Sequence, residues 1–132
     1  MLVFCLAYAQ SRTANVLFAV GATVRWATDG ITANALNPGA TSNSAARSAG
    51  GRPAAPGRPH KTPRQAAATA VLLATSHLLE GIGGRYFNDC NEADPVDHRP
   101  SGTPAISKSV ARYALDTANA DRLWETSIRL LA

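Results

Sequence analysis

A long helix signal that runs into a short apolar stretch and is then halted by Pro-Gly limits this chain more than any other feature. Over residues 8–26 the apolar side chains Val16, Leu17, Val20 and Val24 recur at three- and four-residue steps, the spacing that lays one stripe along an α-helix. Asp29-Gly30 reads as a turn, residues 31–36 as a buried strand and Asn37-Pro38-Gly39 as its stop. A helix feeding a strand through a tight turn is half of a β-α-β unit, so a parallel sheet is expected, with its ligand side where the strands end. The Pro38-Gly39 loop falls at such an end.

The rest of the chain reads as support. Residues 42–60 are rich in Ala, Gly, Ser, Pro and Arg and hold no aromatic or acidic side chain, which predicts a mobile loop because too little apolar surface is present to offset its ordering entropy. Thr62-Pro63-Arg64-Gln65 has the cap, the N1 proline and the glutamine of a capping box, starting a helix over 63–78. Residues 84–87 read as a second strand near a sheet edge, 88–115 as a loop, and Asp116 as the cap of a last helix, 117–131. That helix presents Ala120, Leu123, Trp124, Ser127, Ile128 and Leu131 on one face. The expected class is α/β, with about three helices, two strands and long loops in a single domain over residues 1–132.

Composition excludes more than it assigns. A chain of 132 residues with 45% hydrophobic content can bury one core. The net charge of +4 is a modest excess. Its basic run, Arg47, Arg52, Arg58, His60, Lys61 and Arg64, carries no interleaved aromatic on which bases could stack, so nucleic-acid binding is disfavoured. No apolar run reaches the roughly 20 residues of a membrane helix. Cys5 and Cys90 stand far apart and form no Cys-x-x-Cys pair, as two free thiols of a reducing, cytoplasmic setting would. Asn88-Asp89-Cys90-Asn91-Glu92-Ala93-Asp94 lacks the calcium-loop spacing, and one Cys with His98 gives too few zinc ligands, so no metal is expected. Residues 1–6 are apolar and Ala7-Tyr8-Ala9 has the small-x-small form of a signal-peptidase site. No basic residue precedes that short run, which favours a truncated or re-initiated start.

The candidate chemistry lies in the first helix. Tyr8 and Arg12 are four residues apart and share a face. A fixed cation beside a phenol favours the phenolate and yields a usable proton donor near neutral pH. A packed ring beside a solvated charge has the same spacing.

The surrounding residues add to that spacing. Residues 6–18, LAYAQSRTANVLF, resemble the active-site helix of the short-chain dehydrogenases/reductases, marked by Tyr-x-x-x-Lys, with Arg12 at the lysine position. Residues 29–39, DGITANALNPG, resemble the next strand and the Pro-Gly loop that lies against the nicotinamide in that family. KTPRQ at 61–65 and GGRYFNDCNE at 83–92 resemble its retinol-dehydrogenase and protochlorophyllide-reductase-like branch. The resemblance runs from about Leu6 to the C-terminus.

That resemblance implies a partial Rossmann-like fold, the C-terminal half of a doubly wound parallel-sheet domain. It implies hydride transfer at a small-molecule carbonyl or alcohol with NAD or NADP. Tyr8 would protonate the carbonyl oxygen, Arg12 would stand in for the lysine that lowers the tyrosine pKa and bonds the nicotinamide ribose, and Pro38, Gly39, Thr41 and Asn43 would contact the cofactor. The family's Gly-rich fingerprint and active-site serine lie upstream of the tyrosine, and no G-x-G-x-x-G occurs in these 132 residues. A fragment with weak or no activity of its own is therefore expected, with exposed apolar faces. The alternative is a non-catalytic fragment that self-associates, as a homo-oligomer, or binds a partner through its sheet edge and last helix.

Overall fold

The structure, a computed structural model, describes residues 2–41, 60–102 and 108–132. Asn43 and all of the expected mobile loop except His60 lie outside the described residues.

Helix α1 spans Leu2–Trp26, six residues longer at its start than the expected 8–26, because nothing between Leu2 and Ala7 is a Gly or Pro that would stop it. Its buried side chains are Val16, Ala19, Val20 and Ala22, while Leu17 is half-buried and Val24 is exposed. The stripe departs from the expected one because small residues let another helix approach: a Cβ on Gly21 would lie 3.6 Å from Ala120 Cβ and 3.6 Å from Trp124 Cε3. That helix is α3, Thr117–Leu131, whose start is capped by Asp116 accepting from the Asn119 amide at 2.8 Å.

The α1–α3 contact is aromatic. Trp124 stacks on Phe18 with ring centroids 5.6 Å apart and meets the Trp26 ring edge-on at 5.5 Å. The Arg25 guanidinium lies over Trp124 at 4.4 Å and bonds Asp121 at 3.0 Å. Burial is confined to the first half of α3: Ala120 is buried, Leu123 and Trp124 are half-buried, and Ser127, Ile128 and Leu131 are exposed. The apolar face read over the whole helix thus extends beyond its contact with α1.

After α1 a 3-10 turn, Ala27–Asp29, and Gly30 at φ 75° reverse the chain. Strand β1 is Ala35–Asn37 rather than 31–36. The backbone before it is used elsewhere: the Ile31 amide donates to Trp26 O, and the Thr23 hydroxyl both donates to Ala33 O and accepts from Ala33 N at 2.9 Å. Asn34 uses its side chain to bond Ile82 O and the Arg85 amide.

Helix α2, Pro63–Thr75, opens with the full capping box: Gln65 N donates to Thr62 Oγ1 at 3.3 Å and Thr62 N donates to Gln65 Oε1 at 2.9 Å. It ends three residues before the expected 78, where Ser76 turns extended and a 3-10 turn, His77–Leu79, follows. Thr75 Oγ1 bonds back to Val71 O at 2.8 Å, the local side-chain bonding that weakens a helix end.

Strand β2 is Tyr86–Asn88, two residues later than the expected start at 84, since the Gly84 amide donates to Ala33 O and the Arg85 amide to Asn34 Oδ1. It is the central strand of its sheet, not an edge. β1 pairs with it in parallel, Leu36 opposite Phe87, and β3, Asn91–Glu92, pairs antiparallel on its other side. The expected loop 88–115 is also broken by β4, Asp94–Val96, and β5, Ser109–Ala111, which pair in parallel, and by a 3-10 turn, Arg112–Leu115. A proline is tolerated in β4 because a two-stranded sheet has only edges. Val16, Ala93, Val110 and Ala114 form one buried cluster of the core, with Ala35, Tyr86, Ala111 and Leu115 packed against them. The whole is an α/β, partial Rossmann-like arrangement.

One close approach fixes the α1–β1 corner. A Cβ on Gly83 would stand 2.7 Å from both Cγ2 and Oγ1 of Thr23 and 2.9 Å from Thr32 Cβ. Gly83→Val is therefore expected to destabilise the fold by about 1–3 kcal/mol through overpacking, seen as a lower thermal midpoint, whereas Gly81→Ala meets no neighbouring atom and costs only its positive φ.

Candidate active site

Of the expected site residues, Tyr8 and Arg12 lie in the first half of α1, and Pro38, Gly39 and Thr41 follow the end of β1. Gly30 and the Thr23–Ala33 bonds turn the chain back along α1.

Tyr8 and Arg12 are together, as their spacing requires. The guanidinium carbon sits 4.7 Å from the centroid of the Tyr8 ring, over its face, where the ring quadrupole attracts a cation. Tyr8 is 62% exposed and Arg12 is also exposed. The Tyr8 carbonyl accepts from Ser11 Oγ at 2.7 Å, which ties the exposed turn to itself. Among the described residues no hydrogen bond, ion pair or ring contact joins Tyr8 or Arg12 to Pro38 or Gly39.

The loop after β1 is built by its own side chains. Asn37 Oδ1 accepts from the Gly39 amide at 2.9 Å, turning the chain immediately around Pro38, and Gly39 takes φ 76°, a region open to glycine. Ala40 O accepts from the Lys61 amide at 2.8 Å, Thr41 and Lys61 form a parallel bridge, and His60 Nδ1 lies 3.2 Å from Thr41 O. The loop is thereby stitched to the residues that lead into α2.

Two residues that sequence reasoning did not select complete this end. Lys61 Nζ pairs with Asp89 Oδ1, and Asp89 opens the two-residue turn between β2 and β3, with φ 50° at Asp89 and 61° at Cys90. The Cys90 amide donates to Thr69 Oγ1 of α2 at 3.1 Å. Lys61 stands in the basic run and in the KTPRQ stretch, but nothing in either points to Asp89, 28 residues away.

Other polar features are otherwise engaged. Tyr86 is pushed above the ordinary phenol range by burial, which makes it a poorer acid near neutral pH. An open groove of about 600 Å³ between Arg85, Asp97, Arg112 and Asp116 is charge-matched, Arg112 to Asp97 at 2.7 Å and Arg85 to Glu92 at 3.2 Å. Among the described residues no group of three His, Cys, Asp or Glu could hold a metal, and no helix is long and apolar enough to cross a membrane.

No family model and no solved structure matches the chain. Curated proteins do. It is 48% identical over 134 residues to a probable oxidoreductase of Streptomyces lividans, covering 90% of this chain and 42% of that protein. It is 31% identical over 131 residues to the chloroplastic short-chain dehydrogenase TIC 32 B of Brassica napus, covering 95% of this chain and 36% of the relative. Against retinol dehydrogenase 14 of Mus musculus the figures are 32% over 133 residues, with 94% and 34% covered.

The chain belongs to the short-chain dehydrogenases/reductases.

It spans less than half the length of these relatives. Within a short-chain dehydrogenase/reductase scaffold the groups described above offer a phenol and a guanidinium on one helical turn and a glycine-bearing loop at the carboxyl end of a parallel strand. The Tyr8 hydroxyl and the five N–H groups of Arg12 are donors of the kind the nicotinamide and ribose end of a dinucleotide can accept, and the exposed Pro38 ring, further along the chain, offers an apolar surface. The pyrophosphate end finds no Gly-rich turn at a helix N-terminus among the described residues, where such a group is normally held.

Proposed function

We propose that this chain supplies the proton-donating and nicotinamide-side parts of an NAD(P)-dependent oxidoreductase that moves hydride between the dinucleotide and a small carbonyl or alcohol. The observation that carries the reading is the Tyr8–Arg12 contact at 4.7 Å on one turn of α1. When bound, the dinucleotide supplies or takes up the hydride. Tyr8 donates its hydroxyl proton to the carbonyl oxygen, or accepts it in the reverse direction. Arg12 holds the phenol's surroundings positive and donates hydrogen bonds to the ribose. Pro38 and Gly39 present a backbone surface to the nicotinamide, with Thr41 and Asn43, next in the sequence, as further donors. With no glycine-rich phosphate turn among the 132 residues, affinity and turnover of this chain alone are low.

Carbonyl-dependent oxidation of NADH and NADPH by the chain tests the reading. A charge-assisted hydrogen bond contributes roughly 1.5–3 kcal/mol, so Arg12→Ala is expected to lower kcat/KM by about tenfold or more. Arg12→Lys restores a compact cation that can also relay a proton and is expected to raise kcat/KM above the parent. Equal rates in all three chains would overturn the role of Arg12.

A second reading, non-catalytic self-association, is favoured by the exposed Phe4 and Leu6 near the start of α1 and the exposed Leu130 and Leu131 near the end of α3. Exposed apolar surface marks association sites where it is contiguous. A solution mass above monomer, with no dinucleotide effect on any residue, would single it out.

A further inference from the structure

Gly39 and Lys61 are packed as one unit. A Cβ on Gly39 would stand 2.9 Å from Lys61 Cε, 3.0 Å from Cδ and 3.0 Å from Nζ. The lysine stem thus occupies the space that a side chain on Gly39 would fill. Its backbone is fixed by the Lys61 amide donating to Ala40 O and by the bridge to Thr41. Its ammonium is fixed by Asp89, on a turn whose own position is held by Thr69 and by the buried Asn88 beside it.

We propose that Lys61, braced by Asp89, is a positioning residue that sets the conformation of the Pro38-Gly39 loop. The inference deepens the function proposed above and rests on it only for what the loop contacts. Gly39 is free of a Cβ and sits at positive φ, so nothing in its own side chain limits its backbone. The limit comes from Lys61, whose stem occupies the space beside Gly39, and from Asn37, whose Oδ1 accepts from the Gly39 amide. A loop held in its ligand-bound shape avoids an ordering cost on binding. Lys61 therefore strengthens dinucleotide affinity without touching the dinucleotide.

Amide hydrogen exchange on the full chain, with and without NADH or NADPH, tests this. In Lys61→Ala and in Asp89→Asn, exchange at the amides of residues 39 and 61 is expected to rise about tenfold, while the amides of Ala93 and Asp94, bonded to Tyr86 O and Lys108 O, stay protected. Asparagine tolerates the positive φ of Asp89, so the turn survives that substitution. Lys61→Arg retains the ion pair and recovers the parent pattern, and the double variant is no worse than either single one. Dinucleotide affinity, read as protection at Gly39, weakens about tenfold in Lys61→Ala and recovers in Lys61→Arg. Unchanged exchange at residues 39 and 61, or an equal rise at Ala93 and Asp94, overturns the positioning role. A parent chain in which neither dinucleotide protects Gly39 strikes the proposed function instead, and the exchange comparison alone then decides on Lys61.

Discussion

Tyr8→Phe is expected to abolish measurable carbonyl-dependent oxidation of NADH or NADPH while leaving the fold as stable as the parent. The two halves of that result have separate causes. The phenol ring is 62% exposed, and among the described residues its hydroxyl has no hydrogen-bond partner, so removing the oxygen changes stability by less than about 0.5 kcal/mol. The ring itself, and the guanidinium over it at 4.7 Å, remain. Proton transfer by a positioned side chain contributes roughly 10²- to 10⁴-fold, and phenylalanine can supply none of it. Absorbance at the reduced nicotinamide band, beside a thermal melt of the same sample, checks both. A rate in Tyr8→Phe within threefold of the parent would remove Tyr8 from the mechanism.

The largest expected loss of stability is at the other end of α1. Trp124→Ala removes the stacking on Phe18, the edge contact with Trp26 and the seat of the Arg25 guanidinium together. Full burial of such a ring would make truncation cost roughly 3–5 kcal/mol, and each aromatic pair adds about 0.5–1.5 kcal/mol. Trp124 is only half-buried, so we expect about 3 kcal/mol in total, a large share of the ~5–15 kcal/mol that holds a domain folded. Since α3 is seated chiefly by its first half, the loss should appear as melting of α3 before the sheet. Loss of helical circular dichroism in a separate, earlier transition checks this. Trp124→Phe keeps a ring against Phe18 and should recover most of the loss. A single transition at the parent midpoint in Trp124→Ala would show that α3 is held by something else.

Wherever a signal was local, the sequence could be read. The Thr62 capping box, the Asp116 cap and the stop at Asn37-Pro38 each depend on residues within three of one another, and each forms as those residues dictate. The Tyr8–Arg12 contact is of the same kind, set by a single turn of helix. What escaped is set by tertiary partners. The β2–β3 turn runs through Asp89 and Cys90 at positive φ with no glycine to announce it. β4 and β5 are three residues each, one containing a proline, and exist because they find each other. Val24 carries the right periodicity and is exposed, while Gly21 faces Ala120 and Trp124 of α3. Lys61 and Asp89 were unreadable for the same reason: each is an ordinary surface charge until β1, α2 and β2 place them together at Gly39.

Tyr8 and Gly39 are proposed to serve one dinucleotide, and a nuclear magnetic resonance titration of the parent chain with NADH and with NADPH tests that directly. The Tyr8 ring protons and the Gly39 amide are expected to shift together and to saturate with a single Kd for the preferred dinucleotide. Movement of one without the other, or of neither at saturating nucleotide, would contradict it.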